Sequence, residues 1–450
     1  MGKKHRTRRR YRGKRYPQAC FLTDIESLSP EGRGVARVDG KTVFIDGALP
    51  GERLWFQYTA RYGRHDEGRT VKVVQAAPER VTPRCPHAEV CGGCSLQHMD
   101  PAAQIRFKER ALLDALVHVG GVTPEEVLPP LTGPLWGYRR KARLGVRRVP
   151  RKGRVLVGFR EKGSSFLADL SRCEVLVPQV GERLTELGEL VAGLSIPDRI
   201  AQIEVAAADN ATALVFRHLD PLSADDVARL GRFGEDTGLQ IWLQPGGPDT
   251  AHPLRDDYPP LYYAHPDFDV RIEVGPMDFW QVNAAINRAM VARAIELLAP
   301  RPDERVLDLF CGLGNFTLPL ARRAGEVTGV EGDRAMIRRA RAAAAANGIT
   351  NTRYHVADLA GADIGQAPWL DEPWDAVLLD PPRSGAREVV AHLHRTGARR
   401  IVYVSCHPAS LARDVGILTA EQGYVLRAAG VMDMFPHTAH VESIALLTRD

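Results

Sequence analysis

Val306-Leu307-Asp308-Leu309-Phe310-Cys311-Gly312-Leu313-Gly314-Asn315-Phe316 runs an apolar strand pattern straight into a glycine-rich turn. Further strand patterns follow at 327–331, 353–357, 375–380 and 400–405, with helical patterns between them. That alternation predicts a parallel, doubly wound sheet. Ligands of such sheets sit at the carboxyl ends of the strands. Two last strands, near 424–431 and 441–447, are expected to close the edge as a hairpin-like pair.

The turn itself narrows the ligand. Glycines let backbone approach a bound group closely at a helix N-terminus. A dinucleotide fingerprint wants a third glycine three positions after the second, and Thr317 stands there. NAD is therefore disfavoured. Glu331 ends the next strand, where a carboxylate can accept ribose hydroxyls, and Asp358 ends the third, where it can accept from an adenine amino group. The layout fits S-adenosylmethionine. Helix N-capping is the ordinary alternative for both carboxylates.

The fourth strand ends in Asp380-Pro381-Pro382-Arg383, and the fifth in Ser405-Cys406-His407-Pro408. Pro-Pro turns of this kind also serve methyl transfer to exocyclic amines, so Asp380 does not name the target atom. Cys406 does. An amine lone pair needs no covalent help, whereas carbon 5 of a pyrimidine is a poor nucleophile. A thiolate adding at carbon 6 makes carbon 5 nucleophilic, and a base must later remove the carbon 5 proton. A helix following Cys406 is expected to lower its thiol pKa. Glu442, in His440-Val441-Glu442, is the candidate base. The bland readings are a buried structural cysteine and a solvated strand glutamate.

Composition sets the frame. With 450 residues, two or three domains are expected, and 44% apolar with 26% charged residues describe a soluble globular chain. No apolar run reaches membrane-span length. The basic N-terminus lacks the apolar core of a secretory signal, so the expected location is cytoplasmic. Seven cysteines in such a chain argue against a disulfide framework. The net charge of +5 hides an asymmetry. Residues 1–15 hold nine Lys/Arg and no Asp/Glu, and residues 136–162 hold eleven Lys/Arg against Glu161 alone. The remainder is net acidic. Positive charge gathered in two places is the pattern of a polyanion binder. Trp136, Tyr138, Arg139, Arg140, Lys141, Arg143 and Phe159 are the expected RNA platform, together with the N-terminal arm.

Residues 18–78 read as short strands, at 32–36, 42–45 and 53–56, with turns at Asp39-Gly40 and Leu49-Pro50-Gly51. A small barrel of OB type is expected. Helical spacing covers Ala102 to Val119. Residues 135–280 look β-rich and mixed, with helical pieces near 180–194 and 222–237. Cys85, Cys91, Cys94 and distant Cys173 form a separate group. On spacing alone these thiolates could hold zinc or an iron–sulfur cluster, and His87 could be a zinc ligand or merely exposed.

Taken together, Asp308–Phe316, Asp380–Arg383, Ser405–Pro408, His440–Glu442 and the segment Phe279-Trp280-Gln281-Val282-Asn283 resemble the RNA uracil-C5 methyltransferases. The resemblance covers nearly the whole chain. It implies cofactor contacts at Gln281, Phe310, Asn315, Glu331, Asp358 and Asp380, with Cys406 as nucleophile and Glu442 as base. The N-terminal barrel resembles a TRAM domain, an RNA-binding module. The cysteine spacing resembles the iron–sulfur motif of the 23S ribosomal RNA branch, which favours a [4Fe-4S] cluster on Cys85, Cys91, Cys94 and Cys173. His407 departs from the family, where many members have Asn.

The implied architecture is multi-domain α/β. A basic arm (1–17) precedes an OB-like TRAM barrel (18–78). A central β-rich iron–sulfur domain (79–275) carries the basic segment, and a class I, Rossmann-like, S-adenosylmethionine-dependent methyltransferase domain (276–450) follows. The implied activity is methylation of one uridine of 23S ribosomal RNA, in family context uridine 1939, by a monomer that does not bind membranes. The alternatives are a non-catalytic RNA-binding or assembly factor on the same fold, methylation of another RNA uridine, and methylation of an amino group.

Overall fold

The computed structural model describes residues 19–449, so the basic arm lies outside the described residues. These fall into two compact units. One runs through Pro83 and takes in Ser95–Ala103 and His437–Ala439, and the other comprises Arg84–Cys94, Gln104–Pro436 and His440 onward.

The first unit holds β1 (Phe21–Asp24), β2 (Ser27–Leu28), β3 (Gly34–Val38), β4 (Lys41–Asp46), β5 (Arg53–Arg61) and β6 (His65–Gln75). Burial alternates along β5, so Leu54, Phe56 and Tyr58 join Ile25, Ala36, Val43 and Ile45 in one core. Asp39 and Gly40 both take positive φ, as the two-residue loop between β3 and β4 requires. The ladder order is β1-β5-β6-β4-β3-β2, with β4 and β6 parallel. Its two ends, β1 and β2, are halves of one bent strand: Ile25 bonds toward β5 while Glu26 bonds to Val35 of β3. The sheet thus curls back on itself. Sequence patterning missed β1 and β6, whose apolar alternation is weak.

In the second unit, α1 (Pro101–Ala115, its first turn shared with the other unit) ends in a widened turn at Leu116–Gly120. After β7 (Glu126–Val127) come β8 (Lys141–Val149), β9 (Arg154–Gly158), α2 (Pro178–Gly181), α3 (Leu184–Ala192), β10 (Ile200–Ala207), β11 (Thr212–His218), α4 (Ala224–Thr237), β12 (Gln240–Gln244) and β13 (His252–Pro253). Six of these strands form a sheet ordered β13-β12-β11-β10-β8-β9, and α3 and α4 contribute apolar residues to its core. The helix α4 starts where the sequence says it should. Ser223 and Asp226 form a reciprocal capping box. The pair β14 (Leu261–His265) and β15 (Val270–Val274) leads into α5 (Ala284–Leu298).

The remaining elements are β16 (Arg305–Leu309), α6 (Thr317–Ala321), β17 (Glu326–Glu331), α7 (Arg334–Ala346), β18 (Thr352–Val356), β19 (Ala376–Leu379), α8 (Arg387–Val390), β20 (Arg400–Ser405), α9 (Pro408–Gln422), β21 (Val425–Met432) and β22 (Glu442–Thr448). They build an eight-stranded sheet ordered β18-β17-β16-β19-β20-β22-β21-β7. The five strands from β18 to β20 are parallel, as the alternation predicts, and their residues are buried on both faces. One detail differs from the sequence reading. The hairpin-like pair does not itself close the edge, because β7 adds beyond β21 in parallel, Ala428 facing Glu126 and Ala429 facing Val127. Two residues carry no readable period, so this strand was illegible.

Candidate active site

The turn after β16 is built from alternating left-handed residues. Phe310 has φ 65°, Gly312 54° and Gly314 94°. Glycine takes such angles freely, but a bulky aromatic does so only when its surroundings force it. Here the N–H groups of Phe310 and Cys311 both donate to Val330 O of β17, at 2.9 and 3.1 Å. The Gly312 N–H donates to Glu331 Oε2 (3.2 Å) and the Asp333 N–H to Glu331 Oε1 (3.1 Å). Asp333, not Glu331, caps α7, so each Glu331 oxygen keeps a lone pair for a ligand hydroxyl. A Cβ placed on Gly312 would meet nothing within 4 Å, so the turn is an open cradle on that side. Asp358 lies exposed just past β18, accepting from the Ala360 N–H at 3.1 Å.

Asn315 is held from behind. It exchanges two hydrogen bonds with Asn287, both 3.0 Å, and its Oδ1 also meets His265 Nε2 at 3.0 Å. That oxygen can only accept, so Nε2 carries the proton and His265 Nδ1 is left bare. The buried Nδ1 has no partner, and desolvation pushes the His265 pKa down, which agrees with a neutral ring. One Asn315 N–H remains for a ligand. Gln281 borders a small cavity with Arg140, Tyr263, Trp280 and Arg288, and Phe279 beside it is 71% exposed.

Asp308 escaped the sequence reading as a site residue. It is fully buried, accepts from Thr317 Oγ1 at 2.5 Å, and leaves Oδ1 without a partner. Desolvation, helped by Asp380 and Glu331, pushes its pKa up to about 7. The signal was a lone acid inside an apolar strand.

Strand register assembles the reacting end. Ser405 of β20 faces Ser443 of β22, which brings Cys406 beside Glu442 just beyond the ladder. Asp380 follows β19, the next strand over, and its N–H reaches Leu309 O at 3.3 Å. Glu442 is buried and Cys406 half-buried. Desolvation pushes Glu442 up to about 8, with Asp380 adding to it and Lys108 opposing. Asp380 rises to about 7 by burial. The expectation of a lowered thiol pKa is corrected. Burial, then the negative fields of Glu442 and Asp380, push Cys406 up to about 11, outweighing the helix that follows. His407 explains its own departure: its Nδ1 accepts from the Ser410 N–H at 3.3 Å, so the imidazole caps α9.

Lys108 was also missed. This α1 side chain is completely buried and donates to Asp433 Oδ1 (2.6 Å) and Phe435 O (3.0 Å). A charged residue inside a helical pattern reads as its solvated face.

Cys85 and Cys94 are buried, and Cys91 and Cys173 half-buried. They lie near one another. The pKa of Cys91 is raised by burial and further by Cys85, and that of Cys173, at about 11, by burial and further by Cys91 and Cys85. Among the described residues no three His, Cys, Asp or Glu gather closely enough to hold one metal ion. His87 turns to Ser171, its Nε2 accepting from that N–H at 3.2 Å.

The basic segment differs most from its sequence reading. Tyr138 is buried, donating to Pro436 O at 3.0 Å. Arg140 pairs with Asp209, and Arg143 with Glu204. Lys141 lies over the Trp280 ring and donates to Pro276 O at 2.6 Å, and burial lowers its pKa to about 8. Arg140, Lys141 and Arg143 thus have partners within the protein, although the Arg143 side chain stays 68% exposed. The exposed aromatic of this region is Phe166, 73% exposed on a turn whose neighbours bond to the cysteine loop, Gly92 N–H to Arg160 O and Lys162 N–H to Val90 O.

Comparison with known proteins gives a consistent picture. The tRNA (Uracil-5-)-methyltransferase family profile matches residues 269–450, and the TRAM domain profile matches residues 14–54. The chain is 58% identical over 440 residues to the 23S rRNA (uracil(1939)-C(5))-methyltransferase RlmD of Alkalilimnicola ehrlichii, covering 98% of this chain and 99% of that one. It is 53% identical to the protein of the same name from Alcanivorax borkumensis, covering 97% and 98%. Among solved structures, the Pyrococcus abyssi tRNA (uracil-54, C5)-methyltransferase in complex with S-adenosyl-L-homocysteine superposes with a TM-score of 0.73 at 24% identity, over 95% of this chain and 99% of that one.

Proposed function

This chain belongs to the RlmD family of 23S rRNA (uracil-C5)-methyltransferases, and on that premise we propose that it methylates carbon 5 of uridine 1939 in 23S ribosomal RNA. The observation that carries the chemistry is the juxtaposition of Cys406 and Glu442 on adjacent strands, beside Asp380 and beyond an open glycine cradle. We assign Gln281, Phe310, Asn315, Glu331, Asp358 and Asp380 to the cofactor S-adenosylmethionine, which supplies an electrophilic methyl group. The cradle fits it, since the open side of Gly312 and the free lone pairs of Glu331 face a ligand of ribose type.

The Cys406 thiol loses its proton to solvent, the thiolate bonds to uracil carbon 6, and the ring electrons pass to carbon 5 and the carbonyl. Carbon 5 would take the methyl group, the bonding pair staying with the departing thioether, S-adenosylhomocysteine. The Glu442 carboxylate then removes the carbon 5 proton, the carbon 5–carbon 6 double bond reforms, and the thiolate leaves. A thiol pushed up to about 11 by burial is mostly protonated in the free protein. Cys406→Ala should abolish methylation but spare cofactor binding. Glu442→Gln should trap a covalent protein–RNA adduct on denaturing gels. Turnover by Cys406→Ala at the wild-type rate would sink the mechanism, and a protein binding this RNA without methylating it would favour the assembly-factor reading.

We further assign Cys85, Cys91, Cys94 and Cys173 as ligands of a [4Fe-4S] cluster. Four neighbouring thiols of this donor type support the reading. The curled sheet of the first unit is read as the OB-like barrel of a TRAM domain that binds RNA, with the domain limits given above. Phe166 and Phe279, standing exposed, are the stacking candidates on the other unit.

A further inference from the structure

We propose that Lys108 is the fixed cation that keeps Glu442 able to act as a base, a positioning residue that reaches the substrate only through Glu442. The inference rests on the function proposed above. Lys108 is the one lysine among the described residues with no exposed surface. An ion pair buried that deeply is not needed for stability, since apolar residues of similar volume commonly do as well or better. Its place in the fold is specific. Lys108 donates to Asp433 and to Phe435 O, which uses two of its three N–H groups. Asp433 follows Met432, the cross-strand partner of Glu442 at the end of β21 and β22. The ammonium is thus anchored one residue from the position opposite Glu442.

The groups facing Glu442 make this cation matter. Asp380 comes from the end of β19 and Cys406 from the end of β20, and each disfavours a second negative charge there. His440, two residues before Glu442, is held toward neutrality by burial and by nearby cations, Lys108 among them. Arg383 acts on Cys406 and His440. Lys108 alone is opposed to the rise of Glu442, while Asp433 fixes where its charge sits. Without it, Glu442 would rise further above about 8, and the fraction free to take a proton from carbon 5 at neutral pH would shrink.

The test separates this role from a structural one. Lys108→Met alone strands the buried Asp433 carboxylate and could simply unfold the site. The double variant Lys108→Met/Asp433→Asn removes the pair as a unit, and Lys108→Leu/Asp433→Leu serves if the first does not fold. Each is incubated in full-length form with S-adenosylmethionine and uridine-containing 23S RNA between pH 6.5 and 9.5, and the adduct is followed in single turnover. Formation of the adduct and cofactor affinity should stay near wild type. Release should slow about tenfold at pH 7 and recover at about one pH unit higher. Release with wild-type rate and pH dependence in a folded double variant would overturn the proposal. Failure of Glu442→Gln to accumulate adduct would instead overturn the parent mechanism.

Discussion

Asp308, Asp380 and Glu442 set the acid–base character of the free protein. Their folded pKa values, about 7, about 7 and about 8, all lie above the unfolded values of 3.8, 3.8 and 4.5. Between roughly pH 4 and 8 the native state therefore holds protons that the unfolded chain releases. Stability from these three groups is fullest at the acid end of that window and declines as pH rises through it. Asp308→Asn keeps an acceptor for Thr317 without the charge. It should raise stability at pH 8 by at least about 1 kcal/mol more than at pH 5. Denaturant melts at the two pH values check it, and equal effects at both would remove the protonation account. The sequence made Cys406, Asp380 and Glu442 legible, because each ends a strand or a motif. It could not show Asp308 or Lys108 as buried charges, because burial depends on neighbours distant in the chain, Asp380 for Asp308 and Asp433 for Lys108. The direction of the Cys406 shift was misread for the same reason: the helix is local, whereas Glu442 and Asp380 are not.

At the level of elements, the turn after β16 concentrates the demand for left-handed backbone. Gly312 has φ 54° with open space where a Cβ would stand. Gly312→Ala should therefore cost only about 1–2 kcal/mol of stability. The new methyl would project into the cradle, so binding of S-adenosylhomocysteine should fall more than tenfold by calorimetry, well beyond what the stability loss explains. An unchanged affinity would place the ligand elsewhere. The glycines of this turn were readable from the sequence, but the left-handed Phe310 was not, since nothing local marks an aromatic held at φ 65° by two bonds to Val330 O. The start of α4 was readable because Ser223 caps it, whereas α5, capped by Asn283, went unread. His407 shows the limit, an imidazole acting where an amide is customary.

At the level of the molecule, two expectations concern what the chain carries and what it meets. Anaerobically purified protein should be brown with about four irons per chain. Serine at Cys85, Cys91, Cys94 or Cys173 should bleach it, and a colourless protein with one zinc would refute the cluster. For RNA, Phe166→Ala should weaken binding by roughly 1–3 kcal/mol without moving the melting temperature. Arg140→Ala should do the reverse, since Arg140 pairs with the half-buried Asp209. If Phe166→Ala binds like wild type in a filter-binding titration, the RNA surface lies elsewhere. Charge counting found the basic segment but could not see that Asp209, Glu204 and Pro276 O already engage it. Exposure of Phe166 was invisible to a pattern that weighs aromatics only beside cations.

The order of β22 in the large sheet has a consequence for synthesis. It follows both β20 and β21 in the chain yet lies between them. A ribosome producing this protein N-terminus first leaves β20 as a bare apolar edge until β22 emerges. During that interval Cys406 exists without Glu442, the base proposed for it, because Glu442 opens the very strand that fills the gap. A chain interrupted between β20 and β22 would carry that open edge, which favours edge-to-edge aggregation. A nascent chain that captured RNA through Cys406, by the chemistry proposed above, would have no base to release it.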